Sequence, residues 1–328
     1  MELLKKYDFN SSNQFEELQI KKWKERYVDY RIKWEKASNM EIVTDFPLYI
    51  MLEQTFKCNL RCPSCIQGYQ DYAKNYNVDV NVMSIELYKK ILQEAKENSL
   101  ASISMHLNDE PLLVSDIIKR VELAKEAGIM DIIMTTNGVL LDKTKIDSLI
   151  KAGLTHLLFS IDAIDEEIYN KVRPGGDFKK VIKNMKYAYL SRDKMFPIIR
   201  ASFVTSFLNE HQIDKVIEFF KDKVDYVDIQ TFGAYAGLNN DLKPSNSQYN
   251  IDNKISCNMP FTRIAIRANG DVLPCCSFYG YDIVVGNIYK NSIKEIWNSK
   301  LMNKLREDFK HKIYKVGRCK ECMENLAI

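Results

Sequence analysis

From residue 48 onward, short apolar runs alternate with amphipathic stretches. "LYIMLEQT" (48–55), "ASISMHL" (101–107), "DIIMTTN" (131–137), "HLLFSID" (156–162), "IIRASFVTS" (198–206) and "VDYVDIQT" (224–231) each predict a strand. The stretches between them carry helical periodicity. "SIELYKKILQEAKEN" (84–98) places Leu87, Ile91 and Ala95 on one side behind Ser84 as N-cap, and "VSDIIKRVELAKEAG" (114–128) closes on Gly128. Residues 142–153, 177–190 and 210–222 repeat the pattern. Strands alternating with helices of this length imply right-handed βαβ units and a parallel sheet. Six units are two short of a closed (β/α)8 barrel. An α/β fold follows, either an open, partial (β/α)6 TIM-like barrel or a doubly wound sheet.

The flanks read differently. "FEELQIKKWKERYVDYRIKWEKA" spaces Phe15, Leu18, Trp23, Tyr27, Tyr30 and Trp34 as one amphipathic helix. That stripe packs on the main domain or serves as a peptide- or partner-binding segment. Residues 233–254 are rich in Gly, Asn, Ser and Asp without periodicity, as in a linker. "TRIAIRANGDVLPCC" then predicts a β-hairpin turning at Asn269–Gly270, and "SIKEIWNSKLMNKLRED" (292–308) a helix. The domain expectation is an N-terminal helical extension (1–46), a partial barrel (47–235) and a small hairpin-plus-helix domain (236–328).

Charge narrows the function classes. The net charge of +3 over 328 residues is too weak to argue for nucleic acid or an anionic membrane. No apolar run approaches a membrane span, and the N-terminus lacks the apolar core of a signal peptide, so a cytoplasmic protein is expected. Thiols stay reduced there, which turns the eight cysteines toward metal or catalysis. Cys58, Cys62 and Cys65 form C-x3-C-x2-C on the loop after the first strand. Cys257, Cys275, Cys276, Cys319 and Cys322 fall near the other end of the chain. Two separate sites are expected. Thiolates suit zinc or iron–sulfur clusters, and three thiolates on a [4Fe–4S] cluster leave one iron open.

C-x3-C-x2-C after the first strand of a six-unit β/α pattern resembles the radical S-adenosylmethionine (SAM) superfamily. The resemblance implies that SAM occupies the open iron and yields, on reduction, a 5′-deoxyadenosyl radical that abstracts a hydrogen atom. A zinc site completed by a distant residue is the alternative. "LNDEPLL" (107–113) stands where that family carries "GGEP". This implies Glu110 as a SAM contact, with Asn108 and Asp109 in the turn in place of both glycines. Asn and Asp tolerate left-handed backbone, which could preserve the turn. "TTNG" (135–138), with Asn137, and "SID" (160–162), with Ser160 and Asp162, resemble the family's strand-end segments near SAM. Ser160 and Asp162 serve equally well as N-caps for the next helix. Ser64 departs from the aromatic that many members carry there. Arg200 reads as a SAM or substrate carboxylate contact, or as a sheet-face ion pair. His106, which ends the second strand, either reaches the pocket or is structural.

Cys257, Gly270 and Cys275 in C-x12-G-x4-C resemble the opening of the SPASM/twitch extension of radical SAM enzymes. The resemblance implies a second, auxiliary [4Fe–4S] cluster on Cys257, Cys275, Cys319 and Cys322 in the shorter twitch arrangement; structural zinc is the alternative. Cys276 is left over as a buried bystander, a substitute ligand or a hydrogen-atom donor to a substrate radical. The implied activity is hydrogen abstraction from a carbohydrate-like or aminocyclitol substrate. The outcome would be oxidation, as in twitch-bearing aminocyclitol dehydrogenases, or epimerisation through Cys276. A flavodoxin- or ferredoxin-type protein would supply electrons. Peptide modification ranks second, because residues 1–46 are short for a separate leader-peptide-binding domain. A non-catalytic zinc or iron–sulfur scaffold is the remaining class.

Overall fold

The computed structural model describes residues 3–8, 12–68, 82–192, 195–232, 240–245, 257–277 and 283–326. The chain opens with β1 (Leu3–Asp8), α1 (Ser12–Trp23) and α2 (Glu25–Ser38). All six expected strands form: β2 (Tyr49–Leu52), β3 (Ser102–Ser104), β4 (Asp131–Thr136), β5 (His156–Ser160), β6 (Ile198–Thr205) and β7 (Tyr226–Thr231). They pair in parallel, in chain order. Between them run α3 (Ile85–Glu97), α4 (Ile117–Glu126), α5 (Lys143–Ala152), α6 (Glu166–Val172) with α7 (Phe178–Ser191), and α8 (Ile213–Phe220). Ser84 caps α3 as expected, its hydroxyl accepting from the Leu87 N–H at 3.1 Å. Asp142, Asp165 and Asp177 cap α5, α6 and α7 in the same way.

The C-terminal part contains α9 (Met259–Thr262), β8 (Arg263–Ile266), β9 (Asp271–Leu273), β10 (Gly286–Asn287), α10 (Ile293–Trp297), α11 (Lys300–Lys310) and α12 (Gly317–Leu326). The hairpin turns at Gly270, whose φ of 84° suits glycine. The sheet extends beyond the six strands. β8 adds to β2 in parallel, β9 and β10 follow antiparallel, and β1 adds antiparallel to β7. The result is one open sheet in the order β1-β7-β6-β5-β4-β3-β2-β8-β9-β10. Two expected helices are each broken in two. Lys24 takes φ 53° between α1 and α2, and Ser299 caps α11 after α10 has ended. Most of the expected linker at 233–254 lies outside the described residues.

The sheet has two unlike faces, because strand side chains alternate. Leu157, Phe159, Ile199, Ala201, Phe203, Val227 and Ile229 point outward and are buried in the main core with the helices. Their neighbours His156, Leu158, Ser160, Arg200, Ser202, Tyr226 and Gln230 point inward and line a cavity of about 660 Å³. Register orders this inner face in layers. Thr135, Leu158, Arg200 and Tyr226 are successive partners across the sheet, as are Tyr49, Ser102 and Asp131 nearer the strand beginnings.

The N-terminal aromatic stripe closes the end of the cavity where the strands begin. Phe15 meets His156 edge-on at 4.9 Å, Trp34 meets Tyr49 at 6.3 Å, and Gln19 donates to Asp131 at 2.6 Å. The expectation that this stripe packs on the main domain holds: Tyr27 and Tyr30 are buried in the core.

Candidate active site

The cysteine loop leaves the C-terminal end of β2, the end at which parallel strands build sites. The loop doubles back on itself. A Cβ at Gly68 would stand 2.3 Å from the Cys62 carbonyl oxygen, so only glycine allows this return. The Cys65 N–H donates to the Cys62 carbonyl at 3.0 Å and holds the turn between the second and third cysteines. The Leu60 N–H donates to Cys58 Sγ at 3.4 Å, and Asn137 Nδ2 lies 3.8 Å from the same sulfur. Burial pushes the thiols up, Cys58 to about 11 and Cys62 to about 12, and each thiol's charge opposes the others'. Such thiols ionise when a cationic group binds them.

The expected SAM contacts converge on this loop. The Glu110 carboxylate, 1% exposed, accepts from Thr136 Oγ1 (2.7 Å) and the N–H groups of Asn137 (2.8 Å) and Leu112 (3.2 Å). Burial raises its pKa, and these donors work against the rise. A carboxylate has roughly four acceptor sites, so about one remains. Asp109 is held by backbone: Leu107 N–H at 2.7 Å, Gln54 N–H at 3.1 Å and Thr55 N–H at 3.2 Å. Neither Asn108 nor Asp109 has positive φ. The turn therefore survives without glycine through the Asp109 carboxylate, not through left-handed backbone as expected. Gln67 Nε2 donates to the Asn108 carbonyl at 3.0 Å and ties this turn to the cysteine loop. Asn137 also donates to Asn59 Oδ1 at 2.8 Å.

Asp162 does not cap the following helix; Asp165 does. Instead Asp162 takes φ 53°, accepts from the Val204 N–H at 2.7 Å and pairs with Arg173 at 2.5 Å. Ser160, the last residue of β5, lines the cavity two residues earlier. Arg173 escaped sequence reasoning. It follows α6 in "RPGG", and Gly175 lies against Leu60 Cδ2 of the cysteine loop, 3.7 Å from its would-be Cβ. Arg173 lines the same cavity as all three cysteines. The available signal was an arginine followed by a Gly-Gly turn after the "SID" strand end. Arg200 forms a sheet-face ion pair with Asp228 at 2.6 Å while also facing the cavity.

The second sulfur set gathers from three segments. Cys257 precedes α9, Cys275 follows β9, and Cys319 and Cys322 lie on α12. Burial raises Cys257 to about 11 and Cys319 to about 12. Cys257 feels the charges of Cys322 and Cys276, Cys275 those of Cys276, Cys257 and Cys322, and Cys319 those of Cys257 and Cys322, which groups all five C-terminal cysteines. Cys276 differs from the other four. It alone lines the cavity of the first triplet, packed with the inner cluster that includes Tyr49, Met51 and Leu273.

The residues present fit iron–sulfur clusters. Among the described residues, no three ligating groups surround a point that would suit one metal ion. A cluster makes no such demand, because each thiolate binds a different iron. Three soft donors beside open cavity space suit a cluster with one iron left free. Four soft donors in the second set suit a fully ligated one.

The profile of the radical SAM superfamily matches residues 52–232, and that of SPASM, an iron–sulfur cluster-binding domain, matches 257–323. A GTP 3′,8-cyclase of Clostridium botulinum is 30% identical over 176 residues, 53% of this chain and 52% of the relative. The chain thus spans about half the length of the curated relatives it matches. Streptococcus suis SuiB bound to S-adenosylmethionine superposes with a TM-score of 0.67 at 20% identity, covering 97% of this chain and 78% of that one. BtrN in complex with AdoMet and 2-DOIA gives 0.52 at 21% identity, over 82% and 89%. At these identities the two structures speak for the fold. No described helix is long and apolar enough to cross a membrane. The chain belongs to the radical SAM superfamily, with a [4Fe–4S] cluster, SAM and an auxiliary iron–sulfur cluster as its cofactors.

Proposed function

We propose that this enzyme abstracts a hydrogen atom from a hydroxylated, carbohydrate-like or aminocyclitol molecule held on the inner face of the sheet, and that Cys276 returns one, inverting the carbon. Cys58, Cys62 and Cys65 hold the first cluster; Cys257, Cys275, Cys319 and Cys322 hold the second. SAM bound at the open iron supplies, after one-electron reduction, the 5′-deoxyadenosyl radical that removes the hydrogen. The observation that carries the reading is the position of Cys276. It faces the cavity shared by the first three cysteines and the polar strand residues, whereas the four other C-terminal cysteines do not line that cavity.

The chain's own residues do the rest. Asn108 and Asp109, tied to the cysteine loop and to the end of β2, and the hydrogen-bonded pair Glu110 and Asn137 offer SAM backbone groups and the remaining Glu110 acceptor site. Asp162 orients Arg173, which presents a cation beside the cysteine loop for the SAM carboxylate, with Ser160 nearby. The Cys276 S–H, which faces the same cavity, gives its hydrogen to the substrate radical. One electron, drawn ultimately from a flavodoxin- or ferredoxin-type donor, and one proton from solvent restore the thiol. Without that hydrogen return, loss of a proton and an electron from the substrate radical to the auxiliary cluster would give oxidation instead.

The test is anaerobic reconstitution followed by reduction. The protein should hold about eight irons and release 5′-deoxyadenosine. Cys276→Ala should still form 5′-deoxyadenosine with substrate but no inverted product. A colourless, zinc-loaded protein would sink the enzyme reading, and an unchanged product from Cys276→Ala would remove the donor role.

A further inference from the structure

The middle layer of the cavity contains a histidine whose proton position can be read from its partners. His106 Nδ1 accepts from the Thr135 backbone N–H at 3.3 Å. A backbone N–H can only donate, so Nδ1 carries the lone pair and the neutral ring bears its proton on Nε2. The Ser104 hydroxyl lies 2.7 Å from Nδ1 and 3.0 Å from the His106 carbonyl, two acceptors for its one hydrogen. Nε2 has no partner among the described residues, and His106 lines the cavity. Burial, with Arg200 nearby, pushes the ring down to about 3, so it stays neutral through the physiological range.

Arg200 stands in the same layer. Thr135 pairs in register with Leu158, and Leu158 with Arg200. Arg200 Nη1 is bound to Asp228 at 2.6 Å, and its buried Nε has no partner among the described residues. The guanidinium also lies over the Tyr226 ring at 5.7 Å. Ser160, Ser202 and Gln230 complete the surroundings with uncharged polar groups, Gln230 donating to Ser202 at 3.2 Å. The other charged groups lining the cavity sit at its two ends. Glu110, Asp109, Asp162 and Arg173 are beside the cysteines; Arg31, Asp131 and Arg263 are beside the N-terminal helices.

We infer that His106 and Arg200 form a two-donor clamp for an uncharged oxygen of the substrate, a hydroxyl or carbonyl, and that this layer selects neutral polyhydroxylated molecules over anions. The inference rests on the inner sheet face being the substrate site. Asp228 already offsets the Arg200 charge, and His106 carries none. An anion there would lose its water without gaining a net countercharge. A neutral hydroxyl loses less and gains two donors.

The experiment uses oxidised, SAM-loaded holoprotein under anaerobic conditions. Binding of myo-inositol and methyl β-D-glucopyranoside is compared with that of gluconate and glucose 6-phosphate by saturation-transfer NMR. The neutral probes should bind and the anions should not. His106→Leu should weaken the neutral probes about tenfold, the loss of one net hydrogen bond, whereas His106→Gln, which keeps an N–H donor, should retain most of the affinity. Nitrogen-15 spectra of the imidazole should show Nδ1 unprotonated and Nε2 protonated. Anions binding in preference, equal affinity of His106→Leu and wild type, or a proton on Nδ1 would each overturn the clamp. Wild-type protein that cleaves SAM yet binds no neutral probe would sink the clamp alone. Wild-type protein that fails to cleave SAM would sink the reading beneath it.

Discussion

Cys58, Cys62 and Cys65 occupy eight residues of one loop, whereas Cys257, Cys275, Cys319 and Cys322 come from a segment before α9, the end of β9 and a helix near the end of the chain. The first set is shaped by its own backbone: the Gly68 return, the Cys65-to-Cys62 hydrogen bond and the Leu60 N–H on sulfur. The second exists only once α12 brings Cys319 and Cys322 to Cys257 and to the segment after β9. A locally built ligand set keeps its spacing through changes elsewhere in the fold. A ligand set assembled from distant segments is coupled to folding, and its metal stabilises the segments that hold it. The first site keeps an open side toward the cavity, while the second turns one neighbour, Cys276, toward it.

The comparison can be broken most severely at the first set. Cys58→Ser should reduce 5′-deoxyadenosine formation below detection and remove about half the iron, with circular dichroism unchanged, because one cluster of two is lost from a loop that its own backbone shapes. Full SAM cleavage by that variant would refute the ligand assignment. Next comes Cys322→Ser. It should also lose about half the iron but keep SAM cleavage, and its melting temperature should fall below that of wild type, since α12 loses its anchor. A melt unchanged by this substitution would contradict the coupling to folding.

A smaller effect is expected at Gly68→Ala. The new Cβ meets the Cys62 carbonyl, so the loop must shift, at about 1–3 kcal/mol. Iron uptake at the first site should drop, read by iron content in a Cys322→Ser background, where only the first cluster remains. The smallest effect concerns the cavity's far end, away from both sulfur sets. Burial raises the Asp131 carboxyl to about 6, with Gln19 and the cations Arg31 and Lys22 opposing the rise. A raised carboxylate pKa favours the protonated folded state. Stability should therefore fall as pH rises from about 4 to 6 and then level off. Asp131→Asn keeps an acceptor for Gln19 and should raise the melting temperature at pH 7 but not at pH 4. An equal shift at both values would exclude titration of Asp131 as the cause.

Legibility in the sequence tracked locality. All six parallel strands, the Ser84 cap and the Gly270 turn depend on neighbours within a few residues, and each was readable. β1 was not. "LLKKYD" looks like the start of a charged segment, and its partner β7 lies more than 200 residues away. Strand formation at an edge depends on that partner more than on intrinsic preference. Nor was the pairing of β8 with β2 readable, which brings the C-terminal hairpin into the same sheet as the barrel strands. Among the candidate site residues, Glu110 and Asn137 stand in motifs legible along the chain. Arg173 was not, because its place depends on how its turn meets the cysteine loop, where Gly175 approaches Leu60, a residue far earlier in the chain.

By itself the sequence determined the alternation of strands and helices, the three-thiol loop and the chemistry those thiols can support. Each of these follows from side-chain periodicity or from the fixed valence of sulfur. Tertiary structure alone decided which face of the sheet became the cavity and which cysteine of the Cys275–Cys276 pair faced it. It also decided that the N-terminal aromatics close the mouth and that His106 holds its proton on Nε2. Those outcomes depend on which distant groups come into contact, and contact between distant groups is set by packing, not by order along the chain.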